Sequence, residues 1–427
     1  MKKQILYLCL LLASHNLLAQ ELQEINSGAG YNSQSYYSLS TGEEELVAND
    51  AWDIAFSVGA VDAGIFINES SGSSMGQPLP FIELYDALTD DFGSQPDPSL
   101  LIDYQLFNAE KSWSKGALNE AADPTEPLDF GWGILDPTSQ DITGERVFVV
   151  KLRNGQYRKL QVQSLIDGTY TFRYANLNGT GEATKTISKA DHAGSVLAYF
   201  SFATGGTVSV EPAGGFDLFY CRYITPFFNP GTNEYEPVGV MGILSGYGVQ
   251  VAQANGVDPA TVSYDDWVDS LSADIDVIGY DWKAFSGSSW LLYLDRAYFV
   301  KTLDGSIWKI NFIDFGGSLT GTTVFEKTNL GGANAVNDPD SPLTNFNVFP
   351  NPATSEANLV FSAKAAKGDA VLSLRDATGK AVFQAKLHTN QGLNGYVLPL
   401  NHLQEGVYFA VLNFDHQVFT QRVVVVR

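Results

Sequence analysis

Residues 146–159 read RVFVVKLRNGQYRK, and residues 296–309 read RAYFVKTLDGSIWK. In each stretch an apolar run is followed by a turn dipeptide and a second run. Asn154-Gly155 and Asp304-Gly305 supply the positive φ angles that a two-residue hairpin turn needs. Each stretch therefore predicts a β-hairpin. Val147 and Val149 alternate with Phe148 and Val150, so both faces of the first strand are apolar, which predicts a strand buried between layers.

Working outward, the two hairpins are the last of four landmarks that recur in order. Tyr36-Tyr37-Ser38-Leu39-Ser40-Thr41-Gly42 is echoed by Tyr199-Phe200-Ser201-Phe202-Ala203-Thr204-Gly205, and Trp52-Asp53-Ile54-Ala55-Phe56 by Phe216-Asp217-Leu218-Phe219-Tyr220. Phe130-Gly131-Trp132 is set beside Ile278-Gly279-Tyr280. The offsets of 163, 164, 148 and 150 keep order and nearly keep spacing, the signature of a duplication. Forty glycines and short alternating runs of Val, Ile, Phe and Tyr predict β structure throughout. Two short helices are expected, near Phe81 to Leu88 and near Pro259 to Leu271.

The ends of the chain read differently. Met-Lys-Lys, an apolar run from Ile5 to Ala13, and Leu17-Leu18-Ala19-Gln20 form a signal-peptide pattern over residues 1–19, with cleavage expected after Ala19. The apolar run is shorter than the roughly 20 residues a spanning helix needs, and no transmembrane helix is expected elsewhere. Without the leader a single cysteine, Cys221, remains, so stability must come from buried apolar area rather than a disulfide. With 25 basic and 48 acidic residues the formal charge is −23, which opposes binding to phosphate backbones and excludes nucleic acid as an expected partner.

After Leu330, residues 331–343 are poor in large apolar residues and read as a linker. A unit of about 80 residues follows. Strands are expected at Val371 to Arg375, Lys380 to Leu387, Tyr396 to Leu400, Gly406 to Phe414 and from Val418 onward, with a turn at Asp376-Ala377-Thr378-Gly379. That pattern predicts a small antiparallel β-sandwich over 344–427.

This unit resembles the type A C-terminal sorting domain of the type IX secretion system of Bacteroidetes. Val348-Phe349-Pro350-Asn351-Pro352-Ala353, the Asp376 to Gly379 turn, Leu403-Gln404-Glu405-Gly406-Val407-Tyr408-Phe409 and the closing Val423 to Val426 strand with Arg427 carry the resemblance. It implies Phe349, Pro350, Asn351, Pro352, Gly406 and Tyr408 as sorting-signal residues. The partners it implies are the secretion machinery and surface lipopolysaccharide, and the destination is the medium or the outer-membrane cell surface.

The duplicated region resembles, more distantly, the HmuY-like haem-binding proteins, with Tyr36 to Gly42, Trp52 to Phe56 and Val147 to Lys159 fitting one copy. Tyr199 to Gly205, Phe216 to Tyr220 and Tyr298 to Lys309 fit the other. The expected architecture is all-β, with tandem HmuY-like antiparallel domains at 20–189 and 190–330 ahead of the sorting domain. The resemblance implies haem as the candidate cofactor, held by two axial side chains. His192 is the one histidine between the leader and the sorting domain, so a histidine pair within either copy is excluded. Met75 and Met241, 23 and 25 residues beyond Trp52 and Phe216, are the remaining candidates, and core packing is the ordinary role of such methionines.

Other motifs dissolve on inspection. Gly72-Ser73-Ser74-Met75-Gly76 fits a nucleophile elbow only where a strand turns into a helix, and its surroundings predict a loop. Asp265, Asp266, Asp269, Asp274, Asp276 and Asp281 lack the spacing of a calcium loop, and no metal site is expected. Trp52, Trp132, Trp282, Trp290 and Trp308 are expected in the core. The reading is a non-enzymatic surface protein that binds haem or another apolar extracellular ligand. The alternatives are an adhesive or structural protein without a small-molecule ligand, and an enzyme with an unrecognised carboxylate site. An open apolar cleft would favour binding, and a filled core with exposed aromatic loops would favour adhesion.

Overall fold

Phe148–Lys151 and Tyr157–Ile166 pair antiparallel from Phe148↔Leu160 to Lys151↔Tyr157, and Arg296–Lys301 pairs likewise with Ser306–Phe315. These hairpins anchor a computed structural model that describes residues 20–427 except 60–61, 75–76, 213–214, 333–342, 350, 364–367, 377–378 and 416. The turns differ from expectation in one respect. Only Gly155 and Gly305 take positive φ, +78° and +80°, and each follows a turn closed by its own N–H to Leu152 or Thr302. The connection is therefore three residues long, a turn followed by a left-handed glycine, which suits strand twist without asking Asn154 or Asp304 for a left-handed backbone. Phe148 and Val150 face one apolar cluster while Val147 and Val149 face another, and all four are fully buried.

In the first half, Glu83–Asp86, Phe148–Lys151, Tyr157–Ile166, Thr169–Asn176 and Ala183–Ser188 lie side by side in that order. In the second, Gln250–Asn255, Arg296–Lys301, Ser306–Phe315 and Thr322–Gly332 do the same, and the fifth strand is the N-terminal Gln20–Asn26. It runs from Gln20↔Thr328 to Asn26↔Thr322.

Two further sheets are mixed in origin. Ser33–Tyr37 and Glu44–Ala48 of the first half are joined to Leu218–Asn229 and Glu234–Ser245 of the second. Conversely, Leu197–Ser201 and Gly206–Val208 of the second half are joined to Ile54–Ser57 and Ile65–Ile67 of the first. The registers match: Tyr36↔Phe219 and Tyr37↔Leu218 in one sheet, Tyr199↔Ala55 and Phe200↔Ile54 in the other. The residues before the two inner strands match as well. The Asp53 carboxylate accepts the Phe202 N–H at 2.6 Å, and that of Asp217 accepts the Leu39 N–H at 2.8 Å.

The boundary expected at 189/190 therefore does not divide the sheets. Hydrogen-bonded ladders cross between the halves in three of the four large sheets, so the two landmark sets interlock rather than follow one another as separate beads. Between them lies an aromatic cluster drawn from both halves, with Tyr36, Trp52, Phe66, Trp113, Tyr199, Phe216 and Phe219 all buried. Rings of this size dominate core energetics, so neither half would keep its apolar surface dry alone.

The segment expected as a helix near Phe81 to Leu88 is instead the strand Glu83–Asp86, whose side chains alternate against Phe148–Lys151 and whose Glu83 pairs with Lys151 at 2.7 Å. Near Pro259 to Leu271 there are only two 3-10 turns, Tyr264–Asp266 and Val268–Ser270, the first capped by Ser263. Strand Thr322–Gly332 runs into the expected linker and Leu343 already begins the next strand, leaving the rest of the linker outside the described residues. The expected leader also lies outside them.

The C-terminal unit is a sandwich, as expected, with three strands in one sheet and four in the other. Its core includes Leu359, Phe361, Leu372, Leu374, Leu398, Ala410, Leu412 and Val423. Asn351 ties the opening motif to the closing strand: its amide donates to the Arg422 carbonyl at 2.6 Å and its oxygen accepts from the Val424 N–H at 2.8 Å. Tyr408 donates to the Gln404 carbonyl at 2.9 Å. Pro350 lies outside the described residues, and Pro352 is exposed beside Asn351.

Candidate functional site

The long hairpin Leu218–Asn229 and Glu234–Ser245 outreaches the hairpin at the matching landmark of the first half. Its counterpart in the first half, Ile54–Ser57 and Ile65–Ile67, turns back after four residues. The ladder of the long hairpin continues to Asn229↔Glu234, well past the last pairing with Ser33–Tyr37 at Tyr220↔Ser35. Pro226 faces Pro237 across it. Two facing prolines fit only where both N–H groups would have pointed outward, so at that level neither edge offers a donor to an incoming strand.

The protruding hairpin forms one wall of a groove of about 630 Å³, with Ile224, Pro226, Tyr235, Glu236 and Pro237 on that side. The other wall is the segment from Gln105 to Lys111, with Glu120 at its edge. This second wall is rigid for identifiable reasons. Asn108 accepts from the Ile67 and Ala117 N–H groups and donates to the Ile67 carbonyl. Asn119 likewise ties Ile65, Gly116, Ala63 and Phe130 together.

Glu69 joins the walls. Its buried carboxylate accepts the Asn108 N–H at 2.7 Å from one wall and the Ile224 N–H at 3.2 Å from the other. Burial pushes its pKa up to about 7 even though these hydrogen bonds pull it down. Glu110 accepts from the Thr225 hydroxyl and so adds a second bridge between the walls. Behind Asn108, Ala109, Glu110 and Ile224 lies a cavity of about 50 Å³ lined by Tyr36, Trp52, Phe66, Trp113 and Tyr199 among others. That space is far too small for a macrocycle.

The groove is acidic at its rim. Glu110, Glu120 and Glu236 face it against Lys111, the single cation among its described lining residues, which pairs with Asp274 at 3.9 Å. Asp276 has its pKa raised to about 6 by burial and then by Glu110. The hairpin is apolar outside as well as in: Tyr235 is 71% exposed, and Phe227 and Phe228 are also exposed.

Of the methionine candidates, Met241 does not line this site. Met75 lies outside the described residues. Met241 is buried in the core of the second half with Tyr37, Tyr220 and Trp282, opposite Arg222 in the hairpin ladder. Leu244 pairs with Phe219 as Phe66 pairs with Ala55, so Met241 stands where Ala63 stands in the first half. His192 sits in a 3-10 turn, Lys189–His192, and does not line the groove. Cys221 is buried and its thiol is held well above its usual range by burial.

Ser74 lies in the two-residue strand Ser73–Ser74 paired with Gln77–Pro78, which is a hairpin and not an elbow into a helix. Among the described residues no three His, Cys, Asp or Glu side chains are placed to hold a metal, and Asp274 and Asp281 are engaged with Lys111 and Arg296. Trp52, Trp132, Trp282 and Trp308 are buried, whereas Trp290 is partly exposed on a short hairpin, Lys283–Phe285 with Trp290–Leu292. None of the groove residues was singled out from the sequence. The available signal was Asn229-Pro230-Gly231 between two runs long enough to outreach their sheet.

Residues 347–426 match the secretion system C-terminal sorting domain, and residues 30–175 match the HmuY protein family. The chain is thus a secreted or cell-surface protein, sorted by the type IX secretion system, that carries a HmuY domain. The HmuY match ends at the close of the first half and does not extend over the second. No curated protein matches the chain. Among solved structures, dimeric latent PorU from Porphyromonas gingivalis is similar at 12% identity over 96% of this chain, with a TM-score of 0.19. This chain spans 34% of that one, and a likeness at that score carries no argument. Among the described residues no helix is long and apolar enough to cross a membrane.

Proposed function

For a chain that carries a HmuY domain and a sorting domain, we propose a non-enzymatic role at the cell surface: capture of an extracellular ligand with apolar groups in the groove beneath the long hairpin. The observation that carries this reading is the groove itself. Its volume of about 630 Å³ lies in the range of ligand sites, roughly 300–1,000 Å³, and Leu106, Phe107, Ile224, Pro226, Tyr235 and Pro237 give it apolar walls fixed by Glu69 and Asn108. Among the described residues no Ser, Cys or His lines it, which supports binding over nucleophilic chemistry.

In this reading the second half is a diverged HmuY-like copy whose extended hairpin supplies the groove. Haem is the ligand that the HmuY match suggests, but among the described residues the groove's lining has no histidine or methionine for its iron, and its three carboxylates face where propionates would need cations. The ligand we favour is therefore an apolar group that needs no metal ligation. Attachment of the exported chain to surface lipopolysaccharide is part of the same proposal.

The test is titration of the purified chain with Nile red, a neutral dye whose emission reports an apolar site. Saturable binding that weakens at least about fivefold in Tyr235→Ala and Ile224→Asp supports the groove. Binding unchanged by both substitutions overturns it.

A second reading, adhesion, is favoured by a different observation. Phe285, Leu291, Tyr293 and Leu294 are 47–64% exposed on and beside the short Trp290 hairpin, and clustered apolar exposure of this kind marks contact surfaces.

A further inference from the structure

We infer that the groove's occupant is a basic, amphipathic polypeptide segment, one that places an apolar side chain between the walls and a Lys or Arg at the rim. This rests on the proposed groove and goes beyond it by fixing the chemistry of the partner.

Charge complementarity carries the inference. Glu110 stands on the 105–111 wall, Glu120 at its edge and Glu236 on the hairpin, so carboxylates border the opening from both sides. Two of them are held in place. Glu110 accepts from Thr225, and Glu236 accepts from Asn229 at 2.8 Å and Thr232 at 3.0 Å. Lys111, the one cation among the described lining residues, is offset by Asp274, with the partly buried Asp276 alongside. Low-dielectric walls such as Phe107, Pro226 and Tyr235 strengthen the field of those carboxylates at the opening. An anionic ligand is repelled there, and a neutral one leaves the rim unpaired.

Strand addition is not how the segment is held. Pro226 and Pro237 remove outward donors from both hairpin edges at the level of the groove. Recognition falls to side chains: an apolar residue against Ile224 and Tyr235, and an ammonium or guanidinium against Glu110, Glu120 and Glu236.

The test uses the purified full chain and three fluorescein-labelled hexapeptides: alternating Lys-Leu, alternating Ser-Leu and alternating Glu-Leu. Fluorescence anisotropy should show the Lys-Leu peptide binding at least about tenfold tighter than the Glu-Leu peptide. Combining Glu110→Gln, Glu120→Gln and Glu236→Gln should reduce that ratio to about twofold. These substitutions remove only three of the 23 net negative charges, so attraction to the protein's overall charge would survive them. A ratio that the triple substitution does not change overturns the inference. If the dye binds, is weakened by Tyr235→Ala, and the peptides show no charge preference, the groove stands and the basic partner falls. If neither dye nor peptides respond to Tyr235→Ala, the groove reading falls with it.

Discussion

The hydroxyls of Tyr36 and Tyr199 approach to 3.4 Å at the centre of the interlocked halves. These are corresponding residues of the first landmark, 163 positions apart. Tyr199 also donates to Glu211 at 2.7 Å, and Glu211 accepts the Val196 and Leu197 N–H groups. The contact is thus one end of a buried polar chain within an otherwise aromatic cluster.

Removing the two hydroxyls should have unequal effects. Tyr199→Phe takes a partner from a buried carboxyl and should cost about 1–2 kcal/mol, whereas Tyr36→Phe breaks only a long contact and should cost less than about 0.5 kcal/mol. Urea unfolding of each variant checks this, and equal losses would contradict it.

Stability should pass through a minimum near pH 7. Burial raises Glu69, Glu211 and Asp217 to about 7, so their contribution is full below about pH 4.5 and is lost as pH rises through 7. Lys283 and Lys189 are lowered by burial to about 7 and about 8, so their burial penalty is full below those values and fades as pH rises through them toward 10. Glu211→Gln should flatten the acid limb and Lys283→Met the alkaline limb. Melting temperatures from pH 5 to 9 measure both, and a maximum at pH 7 would refute the scheme.

Lys283 merits its own comparison. Its ammonium donates to the Met241 carbonyl at 2.6 Å and lies 3.9 Å from the Trp282 ring centroid and 4.7 Å from that of Phe315. Lys283→Ala should cost about 2–4 kcal/mol by opening a cavity under these rings, and Lys283→Met appreciably less. Thermal unfolding at pH 7 distinguishes the two.

Haemin titration followed by absorbance should give no Soret shift that depends on Met241. The side chain is packed with Tyr37, Tyr220 and Trp282 and does not line the groove. Met241→Ala should instead lower stability by about 2–4 kcal/mol. A sharp shift abolished by Met241→Ala would establish thioether ligation and overturn this placement.

In the sorting domain, Arg427 donates to the carbonyls of Thr354, Leu400, Asn401 and Leu403. Arg427→Ala should therefore destabilise this unit by roughly 2 kcal/mol, and Arg427→Lys by nearly as much, because a single ammonium cannot match the planar fork. Limited proteolysis with mass readout of the released 344–427 region tests this, and unchanged cleavage by both variants would sink it.

The sequence by itself determined the all-β class, the sorting assignment and the two glycine-marked hairpins. Those readings rest on local chemistry: Gly155 and Gly305 mark turns because only glycine takes positive φ without steric cost, and Val147 to Val150 mark a doubly buried strand by lacking a polar face. It misjudged Phe81 to Leu88, where pairing with Phe148–Lys151 overrides a weak local preference. Only the tertiary structure decided that the landmarks interlock, because the ladders Tyr36↔Phe219 and Tyr199↔Ala55 join residues more than 140 positions apart and no local pattern encodes a partner at that distance. The groove belongs to the same category. Glu69, Asn108 and Ile224 are unremarkable singly, and they become the walls of a site only when a buried carboxylate holds segments from the two halves together.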